Sequence, residues 1–282
     1  MKLFLDTADL NEIKTAVSWD IIDGVTTNPS LIKKAVVSMK KQGVDINMTN
    51  YIKTILATAG RMCPVSLEVP GLKADEMIAQ GKLLFEKFDQ VAGNVVIKIP
   101  VCTVNSKGEG DPFDGLTTIK ALSEEKIPVN ATLIFTPEQA LLAAKAGAQY
   151  VSPFAGRVDD RIRKAEGLSF DKSDYFPYCG MNDKEFPHKI ATYYGLMSGV
   201  DLVAKIREIF KIYSVKCEII AASIRNPIQI RECALAGADI ATIPFGVLTA
   251  MVQNPGTQDG IDAFVSDLVG EYTALFPEPK KQ

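Results

Sequence analysis

The sequence predicts a single-domain (β/α)8 barrel, and three observations lead to this prediction. The chain has 282 residues, a length that suits one barrel of about 250 residues with additions. Short runs rich in Val and Ile alternate eight times with longer segments of helical periodicity. The short runs are almost continuously apolar, as in strands buried on both faces of a parallel sheet. In chain order, the predicted strands are 2–6, 22–27, 64–69, 95–100, 127–135, 150–156, 217–223 and 239–245.

Helix signals fill the segments between these strands. Thr136 is expected to cap a helix that begins at Pro137, with Gln139 completing a capping box. Asn28 and Asn226 each precede a proline, which predicts two more helices that begin with a capping side chain. An open doubly wound sheet is the alternative architecture, but the glycine-rich phosphate turn typical of that fold does not occur in the sequence.

The chain contains no Pro/Gly/Ser linker, so residues 1–282 are predicted to form one domain. Two segments are too long for plain crossovers: a polar, glycine-bearing loop at 102–115 and an extended segment at 159–214 that includes an amphipathic helix. We expect a C-terminal amphipathic helix at about 258–276. Such a helix can pack on a neighbouring subunit, so we expect a homo-oligomer.

Composition and charge exclude several classes of protein. Lys and Arg number 31 against 34 Asp and Glu, without blocks of like charge, so we expect no nucleic-acid partner. No run approaches the roughly 18 apolar residues of a membrane span. Asp6 and Asp9 interrupt the start of the chain, where a signal peptide needs an apolar core. With five scattered cysteines, we expect reduced thiols and a cytoplasmic location.

The residue inventory also limits the chemistry. The chain has one histidine, His188, and no closely spaced cysteine pair, so a zinc site or a Ser-His-Asp triad lacks partners. Neither a dinucleotide fingerprint nor an ATP phosphate loop occurs. We therefore expect no metal and no cofactor, and catalysis by carboxylates, lysine, hydroxyls and arginine.

The most informative candidate is Lys98, which lies inside the apolar run VVIKIP. In a (β/α)8 barrel the active site lies at the carboxyl ends of the strands. Desolvation there favours a neutral amine that attacks carbonyls. The alternative is a lysine that reaches solvent at a strand end. The other polar residues near the predicted strand ends are Asp6, Thr27, Asn28, Glu68, Asn130, Thr132, Ser152, Arg157, Ser223 and Arg225.

Carboxylates and arginines complete the predicted site. Asp6 follows a strand and either takes part in proton transfer or caps the next helix. Glu68 interrupts the run PVSLEV, where an isolated buried carboxylate is costly unless it is paired. Arg157 and Arg225 follow the sixth and seventh strands, where they either hold a phosphate or form surface ion pairs.

Seven segments together resemble the transaldolase family, which includes the fructose-6-phosphate aldolases. In order they are LDTADL, GVTTNPSLI, SLEV, VVIKIP, NATLIF, SPFAGR and AASIRN. The resemblance extends from Met1 through the eighth predicted strand. It implies a circularly permuted class I aldolase barrel that binds small-molecule sugar phosphates and holds its substrate as a Schiff base without a metal.

The resemblance also implies a role for each candidate. It makes Lys98 the Schiff-base lysine and Asp6 the general base that takes the proton of the C4 hydroxyl. Glu68 and Thr132 are implied to activate the water molecule that shuttles protons. The residues implied in substrate binding are Asn28, Asn130 and Ser152 for the dihydroxyacetone part, Thr27 for the turn, and Arg157, Ser223 and Arg225 for the phosphate.

Two positions distinguish the subfamilies. Aldolase members carry Gln and Tyr where this chain has Glu68 and Phe154, whereas transaldolase members carry Glu and Phe. We therefore expect a transaldolase, with an aldolase that releases dihydroxyacetone or a non-catalytic sugar-phosphate-binding barrel as alternatives. The segments 102–115 and 159–214 depart from the family. They leave open whether the bound anion is phosphate or sulfonate, and we interpret them as subunit packing or surface.

Overall fold

The computed structural model describes residues 1–179 and 192–276 and contains a closed barrel of eight parallel strands. Strand β1 pairs with both β2 and β8, which closes the sheet and excludes an open doubly wound arrangement. The predicted (β/α)8 barrel is confirmed. The strands are β1 Lys2–Asp6, β2 Gly24–Thr26, β3 Val65–Glu68, β4 Val95–Pro100, β5 Val129–Ile134, β6 Tyr150–Pro153, β7 Glu218–Ala221 and β8 Ile240–Ile243.

Helices surround this barrel and begin largely where the sequence predicts. Asn28 accepts a hydrogen bond from the Leu31 backbone N at 3.0 Å, and Thr136 and Gln139 form the predicted capping box. In the described part of the chain the helices are α1 Leu10–Ser18, α2 Pro29–Lys41, α3 Met48–Ala59, α4 Ala74–Ala92, α5 Asp114–Glu124, α6 Pro137–Lys145, α7 Ala155–Ala165, α8 Gly199–Ile212, α9 Pro227–Leu235, α10 Phe245–Ala250, α11 Pro255–Ser266 and α12 Gly270–Thr273.

The hydrophobic core has two parts. The larger part fills the layer between the strands and the surrounding helices. A smaller cluster of five buried residues, Phe4, Val96, Tyr150, Ile220 and Ile240, is contributed by the barrel strands. Alternate residues of a strand share a face, so Lys98 lies on the same face of β4 as Val96, two residues nearer the carboxyl end. The apolar cluster therefore lies below the polar end of the barrel.

Three predicted strands and the C-terminal helix extend too far. The strand predicted at 239–245 ends at Ile243, because helix α10 begins at Phe245. The strand predicted at 150–156 ends at Pro153, because helix α7 begins at Ala155. The strand predicted at 217–223 ends at Ala221, and Ser223 has a φ of 61°, which no β-strand accommodates. The prediction of one helix over 258–276 is wrong: Val269 is extended and separates α11 from α12.

The two long insertions differ in structure. The 102–115 segment lies between β4 and α5 and is irregular up to Asp114, where α5 begins. Helix α8 covers the amphipathic part of the 159–214 segment. Residues 180–191 of that segment, including His188, lie outside the described residues.

Candidate active site

A cleft of about 170 Å³ opens at the carboxyl ends of the strands. Eight of the residues that line it are candidates from the sequence, and they come from distant parts of the chain. They are Asp6, Asn28, Lys98, Ser152, Phe154, Arg157, Ser223 and Arg225. The cleft therefore collects one amine, one carboxylate and two guanidinium groups around a single space.

Lys98 is the central side chain of this cleft. Every residue of β4 is buried, and Lys98 is 5% exposed. Its Nζ donates to the Thr27 carbonyl oxygen at 3.0 Å and lies 3.1 Å from Glu68 Oε2. The alternative of a lysine that reaches solvent is therefore wrong. The Glu68 side chain is 16% exposed and is paired, as a largely buried carboxylate requires, and it lies within proton-exchange distance of the amine.

Asn130 lies in register with this pair. Glu68, Lys98 and Asn130 are direct neighbours across β3, β4 and β5. Both ends of the Asn130 amide are occupied: Nδ2 donates to Ser66 Oγ at 3.2 Å, and Oδ1 accepts from Ser152 Oγ at 2.7 Å. Asn130 is completely buried, so in this arrangement it holds Ser152 and lies behind the cleft surface.

An irregularity in β5 places Thr132. The register of β5 against β6 shifts between Ala131 and Ile134, and Leu133 has a left-handed φ of 58°. Such bulges occur next to active sites, where they redirect side chains. The Thr132 hydroxyl is buried and makes no hydrogen bond within the described structure. Thr132 is 1% exposed and is not among the residues that line the cleft.

Asp6 has a chemical environment suited to proton transfer. The cap of α1 is Asp9, which accepts from the Asn11 and Glu12 backbone N atoms, so the helix-cap alternative for Asp6 is wrong. Burial raises the pKa of Asp6, although Lys98 and a hydrogen bond from Thr26 oppose the increase. A carboxylate whose pKa is raised is a stronger base than an ordinary carboxylate, which suits it to accept a proton.

Two threonines of the cleft are absent from the candidates that the sequence supplies. Thr26 Oγ1 donates to Asp6 Oδ1 at 2.8 Å and also contacts Thr242 Oγ1, and both threonines line the cleft. Thr242 interrupts the apolar run DIATIPF, which is the kind of signal that identifies Glu68 and Lys98. The rule that a polar residue within a buried strand marks a site residue therefore also applies to Thr242 in β8.

The opposite end of the cleft is cationic. The Arg157 guanidinium lies over the Phe154 ring, 4.9 Å from its centre, and the Arg225 Nη2 lies 3.5 Å from Asp160 Oδ2. Ser223 also lines the cleft at this end and has a left-handed backbone. Guanidinium groups and a hydroxyl are the donors that bind a phosphate without a metal.

Gly156 allows the two arginine-bearing segments to approach each other. A Cβ atom at this position would lie 2.2 Å from the Ser223 carbonyl oxygen and 2.8 Å from Arg225 Nε. Only glycine lets the first turn of α7, which carries Arg157, pack directly on the segment that carries Arg225. The glycine of the SPFAGR segment therefore has a steric role at the cationic end of the cleft.

Neither a metal cluster nor a membrane-spanning helix is found in the parts of the chain that the structure describes. Residues 1–179 and 192–276 contain no group of three or more His, Cys, Asp and Glu side chains arranged to hold a metal ion. The helices within the same ranges are too short or too polar to cross a bilayer.

Comparisons with known proteins show what the chain as a whole is similar to. Residues 3–275 match the family model described as transaldolase/fructose-6-phosphate aldolase. The chain is 44% identical over 269 residues to a protein named "Probable transaldolase" from Caldicellulosiruptor saccharolyticus, covering 95% of this chain and 96% of the relative. Proteins with the same name from Hydrogenobaculum sp. and Thermoplasma acidophilum are 42% and 40% identical over 267 residues, covering 95% of this chain and 96% and 95% of the relatives.

Proposed function

Because the chain belongs to the transaldolase/fructose-6-phosphate aldolase family and is a transaldolase, we propose that it transfers a dihydroxyacetone unit through an imine on Lys98. The donor is a ketose phosphate such as fructose 6-phosphate or sedoheptulose 7-phosphate, and the acceptor is an aldose phosphate. One observation carries the assignment: a buried amine, held by Glu68 and Thr27, lines a cleft whose other end presents two arginines.

Imine formation uses the groups around Lys98. The neutral amine attacks the ketose carbonyl to form a carbinolamine, which loses water to form the protonated imine. Glu68 lies 3.1 Å from Nζ and can take the proton that the amine releases. The unpartnered Thr132 hydroxyl can bond the water that carries protons between these groups. Glu68 and Thr132 are therefore assigned to proton exchange during this step.

Carbon–carbon cleavage uses Asp6. The carboxylate takes the proton of the C4 hydroxyl, the C3–C4 bond breaks, and its electron pair moves into the imine to give an enamine. The aldose phosphate then leaves. When an acceptor aldehyde enters, the enamine attacks its carbonyl carbon and Asp6 returns the proton to the new hydroxyl. Hydrolysis of the resulting imine releases the product ketose and restores the amine.

The dihydroxyacetone part is assigned to the polar side chains nearest Lys98. Asn28 uses its Oδ1 to cap α2, which leaves its Nδ2 for a substrate oxygen. Ser152 lines the cleft and is held by Asn130. Thr27 contributes its carbonyl oxygen to the amine and donates its hydroxyl to the Ser66 carbonyl at 2.7 Å, which fixes the turn.

Replacing either Arg157 or Arg225 with alanine should weaken binding of phosphorylated donors. Each variant should raise the KM of fructose 6-phosphate by the equivalent of about 1.5 to 3 kcal/mol, the contribution of a hydrogen bond to a charged group. Unphosphorylated acceptors should be affected much less. Steady-state kinetics with both substrate classes measures the difference, and equal losses for both classes would contradict a phosphate-binding role.

Arg161 offers a matched control for these variants. It lies one turn after Arg157 on α7, and its guanidinium stacks on the Phe135 and Tyr193 rings rather than lining the cleft. Arg161→Ala removes the same charge from the same helix. It should leave the KM of fructose 6-phosphate within about twofold of the wild type, since it removes no contact to the anion.

Phe154 tests the choice between transferase and aldolase. Its ring lines the cleft and offers no acid to protonate the enamine, so the three-carbon unit waits for an acceptor. Phe154→Tyr adds an oxygen at nearly constant shape, which can donate a proton or hold a water. We expect release of free dihydroxyacetone without acceptor, and slower transfer to glyceraldehyde 3-phosphate.

Phe135→Tyr is the control for that experiment. Phe135 contacts Phe154 with ring centres 5.8 Å apart but does not line the cleft, so its hydroxyl should leave the product ratio unchanged. A parallel fall in both activities of Phe154→Tyr would assign Phe154 to packing alone. If the wild type releases free dihydroxyacetone as fast as it transfers the unit to an acceptor, the aldolase alternative would replace the transferase assignment.

We further propose a homo-oligomer. Helices α11 and α12 contain no buried residue, yet they and the residues that follow expose large apolar side chains such as Phe264, Tyr272 and Phe276. Another exposed apolar cleft, of about 430 Å³, is lined by Trp19, Ile21 and their neighbours and fits such side chains from a second copy.

Light scattering should give a mass that is a multiple of 30.7 kDa, the mass of one chain. Removal of residues 255–282 should reduce the number of chains in the particle. A wild-type mass equal to that of a single chain would contradict the proposal.

The cytoplasm is the proposed compartment. All five cysteines are free thiols. Two of them, Cys217 and Cys233, are buried, and burial raises the pKa of Cys217 to about 12. Unreactive, unpaired thiols of this kind are typical of proteins in reducing compartments.

A further inference from the structure

Asp159 is a buried carboxylate that the reaction does not use. It lies on α7 and is 3% exposed. Its Oδ1 accepts from the Gly199 backbone N at 2.7 Å, and its Oδ2 accepts from Gln229 Nε2 at 2.8 Å. Burial raises the pKa of Asp159 to about 7, although the Gly199 hydrogen bond and Arg163 oppose the increase. Such a buried charge is costly to keep.

Gln229 connects this carboxylate to the anion-binding end of the cleft. Its Oε1 accepts from the backbone N of Arg225 at 2.9 Å, while its Nε2 donates to Asp159. A carboxylate only accepts and a backbone N–H only donates, so the amide of Gln229 has one permitted orientation. The carboxylate of Asp159 therefore holds the Gln229 amide in the orientation that accepts from Arg225.

The surrounding packing leaves Arg225 dependent on these contacts. Its side chain lies against Gly156, and its guanidinium lies 3.5 Å from Asp160 Oδ2, which is longer than a strong charged hydrogen bond. Arg157 is two residues before Asp159 on the same helix. The hydrogen bonds from Asp159 through Gln229 thus connect the helix that carries one arginine to the segment that carries the other.

We propose that Asp159 is a positioning residue for Arg225 and acts through the amide of Gln229. The carboxylate fixes the orientation of the amide, and the amide holds the backbone of Arg225 where its guanidinium reaches the substrate anion together with Arg157. This inference rests on the proposed function, in which both arginines bind the phosphate of the donor.

Asp159→Asn is the first test, assayed at pH 8, where Asp159 in the wild type is mostly ionised. The introduced asparagine can still accept from Gly199, but its NH₂ group faces the NH₂ group of Gln229. If Gln229 rotates its amide, it then presents NH₂ to the Arg225 N–H. In the first orientation the two facing NH₂ groups push the Gln229 amide out of place, and in the second the bond to Arg225 is lost. The KM of fructose 6-phosphate should therefore rise about 3- to 10-fold, with a smaller change in kcat.

Exchanging the two groups should reverse this loss. In the double variant Asp159→Asn/Gln229→Glu, the NH₂ group of the introduced asparagine donates to the introduced glutamate, whose other carboxylate oxygen accepts from the Arg225 N–H. Every hydrogen bond of the wild type is replaced and the formal charge is unchanged. The KM should return to within about threefold of the wild type. A double variant whose KM effect equals the product of the two single effects would overturn the proposal.

Gln229→Leu keeps the experiment decisive if Asp159→Asn fails to fold. It retains the contact between Asp159 and Gly199 but removes the bond to Arg225, so it should raise the same KM. An unchanged KM in Gln229→Leu, with a Tm equal to that of the wild type, would overturn the positioning role.

Two further measurements separate this inference from the proposed function. Dihydroxyacetone carries no phosphate, so its capture on Lys98 by cyanoborohydride should depend on dihydroxyacetone concentration in the same way in the wild type and in all these variants. If the concentration needed for capture rises as much as the KM of fructose 6-phosphate, a role specific to Arg225 is overturned. If Arg225→Ala leaves the KM of fructose 6-phosphate unchanged, the phosphate assignment itself fails. If Arg225→Ala raises it and Gln229→Leu does not, only the present inference fails.

Discussion

Replacing Lys98 with arginine should abolish turnover of fructose 6-phosphate. A guanidinium stays protonated and cannot form an imine, whereas the lysine amine can. Because every later step depends on this bond, the rate should fall by at least about 10,000-fold, as for other covalent nucleophiles. Coupled assays of aldose phosphate release measure the loss, and the circular dichroism spectrum of the variant checks that the barrel remains folded.

Two companion variants make the result specific. Lys98→Met has nearly the same length without the charge and should be equally inactive, which separates loss of the nucleophile from the bulk of arginine. Lys87 is exposed on α4 and donates to Thr49 Oγ1 at 3.1 Å, so Lys87→Arg should retain full activity. Turnover by a folded Lys98→Met variant at more than about 1% of the wild-type rate would assign the nucleophile to another residue.

Replacing Asp6 with asparagine should stop the reaction one step later. The asparagine can still accept the hydrogen bond from Thr26 but cannot take the C4 proton, so transfer should fall by about 100- to 10,000-fold, the usual contribution of a general base. Imine formation at Lys98 does not require this carboxylate. Borohydride should therefore trap the intact ketose phosphate on the enzyme, and mass spectrometry distinguishes it from the three-carbon adduct.

Asp9→Asn is the matched control. Asp9 caps α1 and lies three residues from Asp6, and asparagine caps helices about as well as aspartate. Its transfer rate should be that of the wild type. Loss of trapping in Asp6→Asn would show that Asp6 acts before cleavage, and an unchanged transfer rate would remove it from the mechanism.

The barrel can be predicted from the sequence because each strand is buried on both faces. Such strands appear as short apolar runs, and a charged residue within one is conspicuous, which identifies Glu68 and Lys98. Thr242 escapes notice because a hydroxyl in an apolar run is a weaker signal than a charge. The ends of β6, β7 and β8 are predicted too late because the apolar character continues past the last strand residue into the turn.

Other features have no local sequence signal. The bulge at Leu133 decides where the Thr132 hydroxyl lies, and it depends on the register of β5 against β6. Asp159 and Gln229 are 70 residues apart and meet only because α7 and α9 are brought together by the barrel. The break between α11 and α12 could not be predicted because the apolar pattern continues across it.

The identity of the trapped lysine decides whether Lys98 carries the substrate. Wild-type enzyme is incubated with fructose 6-phosphate, reduced with borohydride, digested and examined by mass spectrometry. We expect a dihydroxyacetone-derived mass on the peptide that contains Lys98. A label on any other lysine, or full turnover without any label, would show that the reaction does not proceed through an imine on this residue.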